Sequence, residues 1–278
     1  MAQCGVCFRH CDIPEGKLGF CGARTCREGA VIPANYGRLT ALALDPIEKK
    51  PLARFHPGSM ILSLGSFGCN LRCPFCQNHE ISWGPEAMAC ARQGERFTPE
   101  QLVRAALDCR DRGNIGLAFT YNEPLVGYEF VRDTAKQAHE AGLKNVLVTN
   151  GTAEIGVLEE LGPYIDAMNI DLKGFQPRYY REVLGGSLEM AKAFIARAVQ
   201  LCHVELTTLI VPGENDTEAE MRSLSAWVAG LSRSIPLHIS RFFPRFRMTD
   251  RQATDVSLVY RLAEAARENL EFVYTGNC

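Results

Sequence analysis

The chain has 278 residues, 30 Lys+Arg against 32 Asp+Glu, a formal net charge of -2, and 46% hydrophobic and 22% charged residues. That composition suits a folded globular chain of one or two domains and excludes extended disorder. The near-neutral charge offers no basic field for nucleic acid or an anionic surface. No apolar run approaches the ~18 residues of a membrane span, and the polar N-terminus lacks a signal peptide's apolar stretch, so a cytoplasmic protein with no nucleic-acid or membrane partner is expected.

Residues 1–58 are rich in Gly, Pro, Cys and charge, with weak periodicity, and read as an irregular Cys-rich N-terminal extension. From Met60 the texture changes to a core domain over 59–278. Short apolar runs at 60–67, 115–120, 145–149, 167–170, 204–210 and 237–239 have the length of buried strands. Segments 99–112, 125–141, 153–161, 177–200 and 218–231 between them carry apolar residues at helical spacing, such as Leu102, Ala105, Ala106 and Cys109. Thr98-Pro99-Glu100 and Asp216-Thr217-Glu218 are helix starts, and Gly113 and Gly142 stand where helices should stop. Each strand is followed by room for a crossover helix, which predicts a parallel sheet. The predicted fold is α/β, a partial (β/α)6 TIM-like barrel; an open doubly wound sheet is the alternative.

Twelve cysteines in 278 residues fall well below the ~8–10% of a disulfide scaffold. Clustered cysteines in a chain of this kind read as metal ligands or redox groups. Cys4, Cys7, Cys11, Cys21 and Cys26 crowd the start, and Cys69, Cys73 and Cys76 form a second group, while Cys90, Cys109, Cys202 and Cys278 are scattered.

A parallel βα barrel carries its chemistry at the C-terminal strand ends. There the chain places Gly68 to Asn78 with its three cysteines, then Thr120-Tyr121-Asn122-Glu123-Pro124, Thr149-Asn150-Gly151, Asp171-Leu172-Lys173-Gly174 and Pro212-Gly213-Glu214-Asn215-Asp216, with His238 on the sixth strand. Taken singly, these are helix caps, turns, solvated charges or a core histidine. Together they aim polar and thiol groups at one mouth. Four soft ligands would close a zinc site or a cluster. Three thiolates in a tight loop leave one corner of a [4Fe–4S] cube free to chelate a small molecule through amino and carboxylate groups. A zinc knuckle completed by His79 is the alternative.

Cys69-x3-Cys73-x2-Cys76, with Phe75 before the last Cys, resembles the cluster motif of the radical S-adenosylmethionine (SAM) superfamily. Cys76-Gln77-Asn78 through Ile81-Ser82 is similar to pyruvate formate-lyase-activating enzymes. Asp45 to Leu52, Tyr121 to Pro124, Asn169 to Lys173, Val211 to Asp216 and the N-terminal Cys4-x2-Cys7-x3-Cys11 with Gly19-Phe20-Cys21 resemble the radical SAM member of the AmmeMemoRadiSam system. The resemblance implies that Cys69, Cys73 and Cys76 hold a [4Fe–4S] cluster and that Phe75 lies beside the adenine. It implies that the Asn122-Glu123 segment holds the SAM ammonium, Lys173 the carboxylate, Asp171 the ribose or a cation, and His238 the ribose; Asn150 is a further candidate cofactor contact. It further implies reductive cleavage of SAM to a 5′-deoxyadenosyl radical that abstracts hydrogen from a protein or peptide substrate. Alternatives are a small metabolite, or a non-enzymatic zinc or iron–sulfur module. Expected partners are an electron donor such as flavodoxin or ferredoxin, with Memo-like and AMMECR-type proteins.

Cys4, Cys7, Cys11 and Cys21 have spacing for a second metal site, with zinc or an auxiliary cluster as the occupant; reduced thiols in a folded cap are the alternative, and Cys26 can replace any one of the four. Arg241, Arg245 and Arg247, interleaved with Phe242, Phe243 and Phe246, read either as a grip for an acidic segment or as a solvated loop over packed aromatics.

Overall fold

A computed structural model describes residues 1–87, 89 and 96–278. Two small antiparallel pairs open the chain: β1 (Ala2–Gln3) with β2 (Asp12–Ile13), and β3 (Arg24–Arg27) with β4 (Ala30–Pro33). The main sheet has eight strands: β5 (Ala41–Pro46), β6 (Met60–Gly65), β7 (Asn114–Phe119), β8 (Lys144–Thr149), β9 (Ala167–Asp171), β10 (His203–Ile210), β11 (Leu237–Arg241) and β12 (Val273–Gly276). They lie in chain order across the sheet. β6 through β12 pair in parallel, while β5 runs antiparallel to β6.

Unbroken sequence order decides between the two predicted architectures. A doubly wound sheet reverses its strand order at a switch point; this sheet never does. It is the staved arrangement of a partial barrel, with every parallel strand delivering its C-terminal end to one mouth. All six predicted strands are present. Two more flank them. β5 comes from the segment read as irregular, where Leu42 and Leu44 are at most half-buried and the apolar signal is weak. β12 is a four-residue strand with only Val273 buried, so its apolar signal is weak.

The helices bury one face each. Leu102, Val103 and Ala106 of Pro99–Leu107, and Phe130, Val131, Thr134, Ala135 and Ala138 of Tyr128–Glu140, sit at i, i+3, i+4 spacings against the sheet. Thr98 makes a capping box with Gln101, as its position before Pro99 predicts. The predicted 177–200 helix is divided. A wide turn over Tyr179–Leu184 stops at Gly185, whose φ of 66° no helix continues, and Ser187 caps a new helix, Leu188–Ala198. A further helix, Val256–Arg267, packs against β11 and β12. Among the described residues no helix is long and apolar enough to cross a membrane.

Candidate functional site

The loop after β6 is built to hold a fixed shape. Gly68 has φ +105°, and a side-chain carbon there would run into Ala23, so only glycine fits. Its amide donates to the Ser82 carbonyl, and its carbonyl accepts from the Glu123 amide at 3.2 Å and Asn122 Nδ2 at 3.1 Å. The Arg72 guanidinium donates to the carbonyls of Cys69 and Leu71 at 2.6 and 2.7 Å, and the Cys76 amide to the Cys73 carbonyl at 3.2 Å. Gly68→Ala is expected to destabilise the chain by roughly 1–3 kcal/mol through backbone strain alone, read as a lower urea midpoint at unchanged slope. A wild-type midpoint would contradict this.

Above this loop lies a cavity of about 870 Å³ at the C-terminal mouth of the sheet. Cys69, Cys73, Phe75 and Cys76 line it from the loop after β6, and Asn122 and Glu123 from the end of β7. Asn150 follows β8, Asp171 ends β9 with Lys173 two residues beyond, and His238 comes from β11. Five strands thus bring every predicted residue of the main site to one cavity.

The surroundings of each differ. Glu123 is buried: its Oε1 accepts from Thr149 Oγ1 at 2.6 Å and the Leu125 amide at 3.1 Å, and its Oε2 from the Asn150 amide at 2.8 Å. Burial outweighs those bonds and lifts the carboxyl to about 7. Asn122 is committed to its own chain. Its Oδ1 accepts from the Ser66 amide at 3.0 Å, and its Nδ2 reaches the Gly68 carbonyl, so it braces the cysteine loop. Asn150 Nδ2 donates to Asn70 Oδ1 at 2.9 Å and lies 3.9 Å from Cys69 Sγ. Lys173 Nζ bonds Asp171 Oδ2 at 2.7 Å. Burial works against the ammonium, but Asp171 and Cys73 outweigh it and raise the lysine well above its ordinary value, so it stays cationic. Phe75 meets Phe242 edge-on at 6.2 Å.

Sequence reasoning missed the support beneath His238. Glu205, fully buried on β10, accepts His238 Nε2 at 2.6 Å and His203 Nε2 at 2.9 Å, together with the amides of Ala53 and Arg54 at 2.9 and 2.8 Å. Burial alone would raise this carboxyl; the four donors hold it at about 2. His238 also stacks on Tyr274 of β12, ring centres 5.2 Å apart. A second unpredicted network sits on the rim. Tyr121, at φ 72°, donates its hydroxyl to Asp45 Oδ2 at 2.6 Å, which also pairs with the buried Lys50 at 2.9 Å. A glutamate inside the apolar run of β10 was the signal for the first. For the second, Asp45 to Leu52 and Tyr121 stand out in the sequence as motif segments, but nothing there pairs them with each other.

The donor set fits a cluster with three protein ligands. Burial, then Glu123 and Cys73, push the Cys69 thiol well up, and burial pushes Cys73 up to about 11. Such thiols give up their protons only when a metal takes the charge. The Leu71 amide points at Cys69 Sγ, 3.4 Å away, as a donor to a thiolate. His79, the candidate fourth zinc ligand, is turned aside: its Nδ1 sits 3.1 Å from the Cys76 carbonyl and its ring stacks on Phe246 at 3.9 Å. Among the described residues no group of three His, Cys, Asp or Glu side chains is set to hold a single metal ion. Cys90 lies outside the described residues. The Arg and Phe segment after β11 folds over its own aromatics: Phe242 is buried and the Arg247 amide bonds the Pro74 carbonyl, leaving Phe243 exposed. At the start of the chain, Cys4, Cys7, Cys11 and Cys21 line a separate small cavity, while Cys26 faces Glu15.

Residues 64–224 match the model of the radical SAM superfamily. The chain is 40% identical to an uncharacterized protein, MJ0808, of Methanocaldococcus jannaschii, over 99% of this chain and 81% of that one. It is 28% identical to the pyruvate formate-lyase-activating enzyme of Clostridium pasteurianum, over 57% of this chain and 65% of the enzyme, a little under two thirds of its length. Among solved structures, Streptococcus suis SuiB superposes with a TM-score of 0.59 at 14% identity, covering 77% of this chain and 48% of SuiB. A domain of the pyruvate-formate lyase-activating enzyme from Bacteroides vulgatus superposes with a TM-score of 0.51 at 17% identity, covering 58% of this chain and 98% of the domain.

Proposed function

This chain belongs to the radical SAM superfamily, and on that premise we propose that it binds a [4Fe–4S] cluster through Cys69, Cys73 and Cys76 and uses SAM to abstract hydrogen from a protein or peptide. The convergence of three thiols and the polar groups of four further strands on one cavity carries this reading. Bound there, cluster and SAM would supply one-electron cleavage of the sulfonium and a carbon-centred oxidant.

The residues of the chain bind, orient and exclude. Lys173, kept cationic by Asp171, pairs with the SAM carboxylate. Glu123 offers a carboxyl oxygen to the ammonium from a fixed position, since Thr149 and the Asn150 amide leave it no freedom to turn, and a bound cation favours its ionised form. Glu205 holds the proton of His238 on Nε2, which leaves Nδ1 as an acceptor for a ribose hydroxyl. Leu71, Phe75 and Leu209 give the cavity an apolar lining that keeps water from a reactive intermediate.

Two observations support a polypeptide substrate. The rim of the cavity carries Arg241, Arg245 and the exposed Phe243. The similar activating enzymes are named for their action on another enzyme. A flavodoxin or ferredoxin serves as electron donor, and the motifs shared with the AmmeMemoRadiSam branch support Memo-like and AMMECR-type partners. The test is anaerobic: iron-loaded protein, dithionite and SAM, with 5′-deoxyadenosine measured by chromatography. Product accumulating only when all three are present is expected. Fully iron-loaded protein that forms none would refute the reading.

A further inference from the structure

The cysteines at the start of the chain lie outside the site just described, and the backbone is arranged to bring them together. β1 and β2 form a hairpin in which the Cys4 amide donates to the Cys11 carbonyl at 2.9 Å. The tip turns at Cys7, whose carbonyl accepts the His10 amide at 3.1 Å, with His10 in the left-handed region at φ 39°. A second turn, closed by the Gly22 amide on the Gly19 carbonyl at 2.9 Å, carries Cys21 to the same place. All four thiols are free, and all four line one small cavity.

We propose that Cys4, Cys7, Cys11 and Cys21 hold a second iron–sulfur cluster, a [4Fe–4S] centre with four protein ligands, and that zinc is not the occupant. The choice of cluster over ion comes from spacing. A tetrahedral zinc at ~2.3 Å from each sulfur needs its thiolates about 3.8 Å apart. No described group of three or more cysteines is set around a single ion in that way. The same is true of Cys69, Cys73 and Cys76, the group that the proposed function assigns to a cluster.

The surroundings suit an anionic centre. The Ala23 amide donates to Cys21 Sγ at 3.4 Å, the kind of N–H···S contact that Cys69 receives from Leu71. Arg9 is anchored on the carbonyls of Asn70 and Gly185 at 2.9 and 2.6 Å and stands in the field of Cys7, Cys11 and Cys21. It stacks on Phe20, its guanidinium carbon 3.4 Å from the ring centre, and Arg72 lies 4.1 Å from the same ring centre. Two half-buried cations thus stand close to both thiol groups and offset the charge of a four-thiolate cluster. The Cys69 amide donates to the Cys21 carbonyl at 3.2 Å, so the two sites are joined by one backbone hydrogen bond. Cys26 is not a ligand: its thiol faces Glu15 Oε2 at 3.4 Å.

The experiment removes the other site. A Cys69/Cys73/Cys76→Ala triple variant, prepared anaerobically, is expected to retain about four irons and four sulfides per chain, against about eight of each in the wild type, with zinc far below one per chain. A triple variant that holds one zinc and no iron, or no metal, overturns the proposal. Four irons in the wild type and none in the triple variant would remove this site and leave the Cys69 reading intact; four irons in both would support this site and remove the other. Should the triple variant fail to fold, the wild type serves through Mössbauer spectra with and without SAM. A shift in about one iron of eight, the open corner of one cluster, is expected, and a shift in one iron of four overturns the proposal. Cys26→Ala is expected to keep the wild-type iron content; loss of half of it would contradict the ligand set.

Discussion

Cys73→Ala is expected to strip the metal from the mouth of the barrel, lowering iron by about four per chain, and to bring SAM cleavage to background. Cys202→Ala should leave both unchanged. The contrast follows from position. Cys73 lies in the loop after β6, its buried thiol facing Cys69 and Cys76 across the cavity. Cys202 precedes β10, at the opposite end of the sheet, with its thiol against the Ala198 carbonyl at 3.9 Å. A cluster with three protein ligands has none to spare, so the loss should exceed the about 10–100-fold typical of changes outside a ligand set. Equal iron loss in the two variants would contradict the assignment.

Glu205→Ala is expected to cost about 3–5 kcal/mol of stability, because it strands N–H donors that have no other hydrogen-bond acceptor among the described residues. The carboxylate is fully buried and collects the Ala53 and Arg54 amides and both histidines. At this chain length that corresponds to a fall in Tm of roughly 10 °C. Glu205 also carries a pH dependence of known sign. Its carboxyl is held at about 2 in the folded chain, against an ordinary value of about 4.3. The unfolded chain therefore takes up the proton first. The stabilisation is complete above about 4.3 and is lost as pH falls toward 2. Glu205→Gln should remove that part of the acid-limb slope, and SAM affinity should fall about tenfold as His238 loses its orienting partner. Wild-type stability and slope in the variant would show that the histidines and amides find other partners.

The parts of this molecule that were legible in its sequence are those where one signal repeats along the chain. The six predicted strands are short apolar runs divided by helical segments, and their ends carry the polar residues that line the cavity. Thr98 before Pro99 announces a cap that the structure contains. What stayed hidden depends on contacts between distant residues. β5 is a strand because β6 offers it an edge, not because its own residues demand one. Asn122 reads as a cofactor-site residue from its place in the motif, but nothing there shows that its side-chain amide is held by Ser66 and Gly68. Nothing in the run around Glu205 names His238, 33 residues away, as its partner. The division of the 177–200 helix at Gly185-Gly186 was readable in principle from the glycine pair, but the apolar spacing on both sides concealed it.

The most direct test of the account is electron–nuclear double resonance on the reduced, anaerobically loaded protein with SAM labelled at its amino nitrogen and carboxylate carbon. Hyperfine coupling of both labels to a cluster, absent in Cys73→Ala, is the predicted result. A reduced cluster that shows no coupling to either label at saturating SAM would mean that its irons are closed to the cosubstrate, and the account would be wrong.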